Sequence, residues 1–301
     1  MAFKDRVMSD ELKLLRSVNT RMKLPYPDRK NFEHLLKGFE GEIQFDALTE
    51  KLQSPLIILN DLFLEVNGSK FQLDSVLLSP NSVYPCEIKN FEGDYNYHTD
   101  RLYIKNGPEV KDPLQQVERS LTLLRILFQK YGFSFPIDPY LIYVNPEFTL
   151  YNAPLNDSII FPTQLNRFMK KLNGLSGNLN GEHRKLCDLL VSLHMTESPY
   201  TRLPPYSFEQ IKKGVTCGRC HSFLNNVVER KFVCGTCGVI EEMDSAVIRS
   251  VEELKLLFPD KPITTSIVFE WCKAVESPKT IRRILKQNYK EMGKYRHTYY
   301  E

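Results

Sequence analysis

The sequence predicts an α/β protein: a mixed sheet flanked by helices, then a small four-cysteine zinc ribbon and a C-terminal helical module. Three observations carry this. Helical apolar spacing gives way to strand-like runs in the first half of the chain. Two Cys-x-x-Cys pairs stand thirteen residues apart. The last stretch is basic and patterned as helices. The 301 residues correspond to about two domains. With 42% hydrophobic and 26% charged residues, wholesale disorder and a collagen-like chain are excluded. No apolar run approaches the ~20 residues that span a bilayer. The opening MAFKDRVMSDELK lacks the apolar core of a secretory signal. A cytoplasmic protein is expected, where disulfides are rare. The net charge of +3 does not by itself point to nucleic acid.

Residues 1–30 read as an N-terminal extension ending in an extended patch at Pro25 and Pro27. From Phe32, apolar residues at 35, 36, 39, 43, 48 and 52 predict a helix. Strand runs follow at Leu56–Leu59, Leu62–Val66, Phe71–Leu78 and Val83–Lys89, with turn signals at Asn67–Gly68 and Ser79–Ser82. Asn90 to Gly107 reads as a polar, aromatic loop. Asp112 as N-cap and Pro113 at the first position start a helix with a core face at 114, 117, 121, 124 and 128. Tyr140–Val144 reads as a strand, and Phe161–Leu172 and Glu182–Met195 as helices. These segments make a domain over 31–197. A proline-bearing linker spans 198–210, the ribbon 211–247 and a basic helical module 248–301.

Cys217, Cys220, Cys234 and Cys237 form the two knuckles CGRC and CGTC. Each tight turn aims two thiolates at one point, and two turns complete a tetrahedron for Zn²⁺. Four thiolates leave no position for water, so the predicted metal is structural. Between the knuckles, a polar Asn225–Asn226 turn separates apolar runs and predicts a hairpin. Cys86, Cys187 and Cys272 each stand alone in apolar surroundings and read as buried hydrophobes.

Two strand runs hold charges. Asp74 interrupts FQLDSVLL on the face of Val76 and Leu78. In VYPCEIKNF, Glu87 and Lys89 point one way, and Cys86 and Ile88 the other. The short turn near Pro80 makes the two strands antiparallel neighbours, so Asp74, Glu87 and Lys89 converge. Two carboxylates suit an oxygen-seeking cation such as Mg²⁺, and a lysine can stabilise charge developing on a phosphodiester. Pro85 cannot donate a ladder hydrogen bond, which predicts an edge strand or a bulge. His98 and Asp100 fall in the following loop, where a histidine is usually just exposed.

KGFEGEIQF (37–45), FQLDSVLL (71–78), EIKNFEG (87–93) and DPLQQVERSLTLL (112–124), in that order, resemble the nuclease-related domain, grouped with PD-(D/E)xK endonucleases. The resemblance covers about 31–154 and implies a restriction-endonuclease-like sheet. It implies a catalytic set of Glu42, Asp74, Glu87, Lys89 and Gln116, with Asp74 and Glu87 on catalytic Mg²⁺. On the first helix Glu42 lies next to Ile43 on the packed face, Glu40 is its rival, and Gly41 between them permits close approach to the sheet.

Between 278 and 300, seven cations face one acid, a surplus of six positive charges. A helix at 265–275, a turn at Glu276–Ser277 and a helix capped by Ser277 and Pro278 resemble a helix-turn-helix unit. Lys279, Arg282, Arg283 and Lys286 would meet phosphates or base edges. Tyr295, Tyr299 and Tyr300 offer rings for stacking. The expected function is a Mg²⁺-dependent nuclease whose ribbon and basic helices bind nucleic acid, DNA before RNA. The alternatives are a non-catalytic nucleic-acid-binding or regulatory protein and a protein-interaction scaffold.

Overall fold

The computed structural model describes residues 2–196 and 203–301, and for residue 296 the backbone alone. Of the expected linker, 198–202 lie outside the described residues. In chain order the helices are α1 (Asp10–Arg21), α2 (Tyr26–Thr49), α3 (Pro113–Lys130), α4 (Leu165–Asn173), α5 (Gly181–Ser192), α6 (Met243–Leu257), α7 (Thr265–Cys272) and α8 (Pro278–Asn288). The strands are β1 (Ile57–Val66), β2 (Ser69–Leu78), β3 (Val83–Lys89), β4 (Gly93–His98), β5 (Arg101–Ile104), β6 (Glu109–Val110), β7 (Tyr140–Tyr143), β8 (Phe148–Tyr151) and β9 (Ile159–Ile160). They continue as β10 (Asn226–Val228), β11 (Lys231–Val233), β12 (Ile240–Glu242), β13 (Glu291–Met292) and β14 (Tyr299–Tyr300). Two compact units emerge. One takes residues 2–8 and 33–196, the other 9–32 and 203–301. The stretch 1–30 is thus divided between them, and the boundary drawn at 247/248 lies inside the continuous helix α6. Among the described residues no helix is long and apolar enough to cross a membrane.

The first unit is a mixed α/β layer. Its main sheet has the order β1-β2-β3-β7-β9, antiparallel through β1–β2–β3 and parallel through β3–β7–β9. Asn67 and Gly68, both at positive φ (49° and 75°), close the β1–β2 hairpin, a backbone whose twist suits paired strands. Helices bury apolar side chains on both faces. Val76 and Leu78 pack with Leu124, Leu127 and Phe128 of α3 and Leu186 and Leu190 of α5. Leu77, Cys86 and Ile88 pack with Phe45 of α2 and Leu165, Phe168 and Leu172 of α4. Asp112 caps α3, accepting from Leu114 N at 2.9 Å.

Several expectations are corrected. The two runs at 56–59 and 62–66 are one strand, with Asp61 at φ 54° in its middle. Residues 90–107 are no loop: β4 and β5 lie there, in a second sheet ordered β6-β5-β4-β8. Alternation failed as a signal there because both faces carry polar and aromatic residues. β3 is an internal strand with a regular register, so Pro85 marks neither an edge nor a bulge. Val83 N donates to Pro136 O and Val144 N donates to Lys89 O. Odd-numbered residues therefore face β7, and Pro85 costs the sheet one ladder bond on that side. The packed residue of α2 is Phe45, fully buried, while Ile43 is 44% exposed. Gly41 does permit close approach, since a Cβ there would stand 2.5 Å from Asn90 Cβ.

The second unit contains a helix the sequence reading passed over. Ser9 caps α1, Asp10 and Glu11 fill its first turn, and Leu12, Leu15 and Val18 form its buried stripe. Arg21 is buried near its end, paired with Glu253 at 2.6 Å and bonded to the carbonyls of Lys212 and Gly214. Its guanidinium lies 4.0 Å from the Trp271 ring centroid. The ribbon is the three-stranded sheet β10-β11-β12. Its first hairpin turns at Glu229 and Arg230, both at positive φ, not at Asn225–Asn226. α7 ends at Cys272, earlier than expected, because Lys273 adopts φ 45°. After α8 the chain is a short β13–β14 hairpin rather than helix.

Candidate functional site

Ser75 pairs with Cys86 across β2 and β3, so the next position sets Asp74 opposite Glu87. Glu87 and Lys89 alternate with the buried Cys86 and Ile88 and so face α3. Lys89 Nζ lies 2.5 Å from Glu87 Oε1 and donates to Gln116 Oε1 of α3 at 3.3 Å. Asp74 Oδ2 accepts from Ile88 N at 2.8 Å. Asp74 and Glu87 are each 6% exposed. Four of the five anticipated residues therefore converge.

Glu42 joins through a residue the sequence reading missed. Arg6, its side chain 2% exposed, donates to Glu42 Oε2 at 2.6 Å and to both Asp46 oxygens at 2.8 and 3.0 Å. It also donates to the main-chain oxygen of Asp74 at 2.7 Å. Opposed residues Asp61 and Asp74 drop out of the β1–β2 ladder, which leaves that carbonyl open to Arg6. Residues 3–6 reach this place by lying along the outer edge of β1, where Lys4 bridges Leu59. No local pattern in MAFKDRV signals such a role. Glu40 is exposed and stands outside the site, as is His98 at the end of β4.

The electrostatics follow from burial. Glu87 is pushed up to about 7, by burial first and then by the Asp74 charge, with Lys89 opposing. Glu42 is pushed up to about 8, by burial and Asp74, which together outweigh Arg6. Burial also raises Asp74, against Lys89 and the Ile88 N–H. Lys89 is raised, because Glu87 and Asp74 overcome the burial that would lower it. The ionised form of each acid is thus poorly solvated and disfavoured. Raised folded-state values make folding favour the protonated acids. The contribution is full below about pH 4.5, the ordinary glutamate value, and is lost as pH climbs through 7 and 8. Without divalent cations, Tm should fall between pH 6 and pH 8.5, and Glu87→Gln should flatten that fall. A Tm unchanged over this range in the native chain would contradict the assignment.

Among the described residues, the only His, Cys, Asp and Glu groups gathered in threes or more within 4.8 Å are the four cysteines. Glu42, Asp74 and Glu87 do not close up to that degree. Their chemistry still fits a hard cation: buried carboxyl groups whose ionisation a cation would favour, and an Asp74 Oδ1 without a hydrogen-bond partner among the described residues. The cysteine cluster fits zinc more tightly. Cys220 and Cys234 sulfurs lie 3.5 Å apart, and those of Cys217 and Cys237 3.7 Å. Zn–S bonds of about 2.3 Å in a tetrahedron imply sulfur separations of about 3.8 Å. The Ser222 hydroxyl, near both sulfurs, holds the Cys220 and Cys234 thiols below the usual range. The cluster is consistent with a zinc ribbon. None of the seven cysteines forms a disulfide.

On α8, Lys279, Arg282 and Lys286 are exposed. Arg283 is instead drawn back onto Asp244 at 2.7 and 2.9 Å and onto Gln287. Lys286 pairs with Glu291 at 2.9 Å.

Residues 37–144 match the family model of the nuclease-related domain. No curated protein and no solved structure matches the chain.

Proposed function

We propose that the first unit is a Mg²⁺-dependent nuclease that hydrolyses phosphodiester bonds, and that the second holds nucleic acid, DNA before RNA. The reading rests on the nuclease-related match together with one geometric observation: Asp74 opposes Glu87, with Lys89 reaching both Glu87 and Gln116. Asp74 and Glu87, with Glu42, would hold the magnesium ion. Bound there, such an ion polarises a phosphate and lowers the pKa of water. The chain's own side chains do the rest. Lys89 Nζ stabilises the charge that grows on the phosphate oxygens and orients the attacking water. Gln116, its Oε1 taken by Lys89, has its Nε2 left to donate to a phosphate oxygen. Cys217, Cys220, Cys234 and Cys237 hold a structural zinc, and Lys279, Arg282, Lys286 and Arg283 supply phosphate contacts. Free cysteines suit the reducing cytoplasm.

The test is divalent-metal-dependent cleavage of DNA and RNA panels, repeated with Lys89→Ala. The expected loss is about 100- to 1,000-fold in kcat, the scale of removing one charge-stabilising donor. Cleavage indifferent to Lys89→Ala removes this mechanism. A second reading, nucleic-acid binding without catalysis, is favoured by the pairing of Lys89 with Glu87 and of Arg6 with Glu42. It expects salt-sensitive binding and no cleavage.

A further inference from the structure

The outer face of the second sheet carries a cavity that the chemistry above does not use. β4 lies between β5 and β8, and the register sets Asn96 opposite Tyr103 on one side and opposite Tyr151 on the other. Tyr95 and Tyr97 point inward: Tyr95 stacks on Phe91 at 5.2 Å, and the Tyr97 hydroxyl donates to Asp112 at 2.9 Å. Asn96 therefore points outward with its two tyrosine neighbours. The row Tyr103–Asn96–Tyr151 crosses three strands, so the tyrosines are rooted about 9.5 Å apart, twice the spacing between strands. That leaves room for one planar ring between them.

The cavity has a volume of about 340 Å³ and is lined by Asn96, Tyr103, Ile104, Lys105 and Tyr151, among others. Asn96 and Lys105 bring donors to it. Asn152 Nδ2 donates to Asn96 Oδ1 at 2.8 Å, which leaves Asn96 Nδ2 without a partner among the described residues. Lys105 Nζ sits 4.3 Å from the Tyr151 ring centroid and 3.2 Å from its hydroxyl, with Asp94 at 3.3 Å. Tyr151 is 43% exposed. Aromatic walls, an amide donor on the floor and an ammonium at the rim match a base and its neighbouring phosphate.

We propose that this pocket takes one unpaired nucleobase of a single-stranded nucleic-acid segment, stacked against Tyr103 and Tyr151, with Asn96 on the base edge and Lys105 at the adjoining phosphate. The choice of nucleic acid as occupant rests on the nuclease reading of the same unit. The pocket would hold an unpaired part of the substrate strand, which a blunt duplex cannot supply.

The experiment measures binding of the full chain, with Lys89→Ala throughout to prevent cleavage. The probes are a short single-stranded oligonucleotide, as DNA and as RNA, and a blunt duplex of the same sequence. Tyr151→Ala should weaken single-strand binding about 5- to 150-fold, the scale of losing one stacked base. Tyr151→Trp should keep it, and duplex binding should not change. An equal loss on both probes, no loss on either, or no single-strand binding by the Tyr151 parent overturns the proposal. If Tyr151→Ala weakens single-strand binding while cleavage ignores Lys89, the pocket stands and the nuclease mechanism falls. If cleavage needs Lys89 and Tyr151→Ala changes nothing, the mechanism stands and the pocket falls.

Discussion

Withdrawing zinc from the cysteine cluster is expected to unfold the second unit and leave the first intact. The ribbon has little core of its own. Its strands are three residues each, and those of β10 are all exposed. Phe232 and Leu224 are its main buried side chains. Four sulfurs gathered in so small a module suit a metal, and metal binding there would be folding free energy. The ribbon is also tied to the helices: Gly214 N donates to Trp271 O at 2.8 Å, and Arg249 of α6 donates to Thr216 O. Trp271, the chain's single tryptophan, is fully buried in that unit. A zinc chelator, or Cys234→Ser, should therefore shift its emission to the red while far-ultraviolet dichroism loses the share of α1, α6, α7 and α8 and keeps that of the first unit's helices. Stoichiometric zinc release with unchanged Trp271 emission would refute the structural role.

Arg6→Ala should strongly destabilise the first unit. One guanidinium, itself buried, serves two largely buried carboxylates and a strand carbonyl. Removing one partner of a buried pair costs about 3–5 kcal/mol. For a unit of this size that is about 6–20 °C in Tm. Arg6→Lys keeps the charge but loses the planar fork, and should fall between the two. Acid should shrink the defect, because Glu42, already pushed up, takes a proton more readily once Arg6 is gone. Thermal melts at pH 5 and pH 8 decide the matter. A loss under about 1 kcal/mol at pH 8 would show that the buried pair contributes little beyond a surface ion pair.

Much of the site was legible because its parts are local or strand-bound. Asp74, Glu87 and Lys89 follow from period-two alternation and one short turn, which fix facing and neighbourhood together. The cysteine knuckles are short enough that their spacing nearly determines their geometry. Ser277 and Pro278 marked the start of α8 correctly, Ser277 accepting from Lys279 N. Elsewhere propensity misled. Ile43 looks like a core residue but is outcompeted by Phe45, since only one face of α2 meets the sheet. The basic face of α8 looked uniform, yet Arg283 is turned toward Asp244 of α6.

From sequence alone came the α/β order, the paired cysteine knuckles, the carboxylate–lysine strand pair and the capped basic helix. Each depends on periodicities and spacings spanning a few residues. Tertiary structure alone decided that Arg6 anchors Glu42 and that α1 packs in the second unit. It also made β4, β5 and β8 a second sheet, with Tyr103, Asn96 and Tyr151 in one row. Those contacts join residues tens of positions apart, and their energy comes from shared burial, which no local pattern encodes.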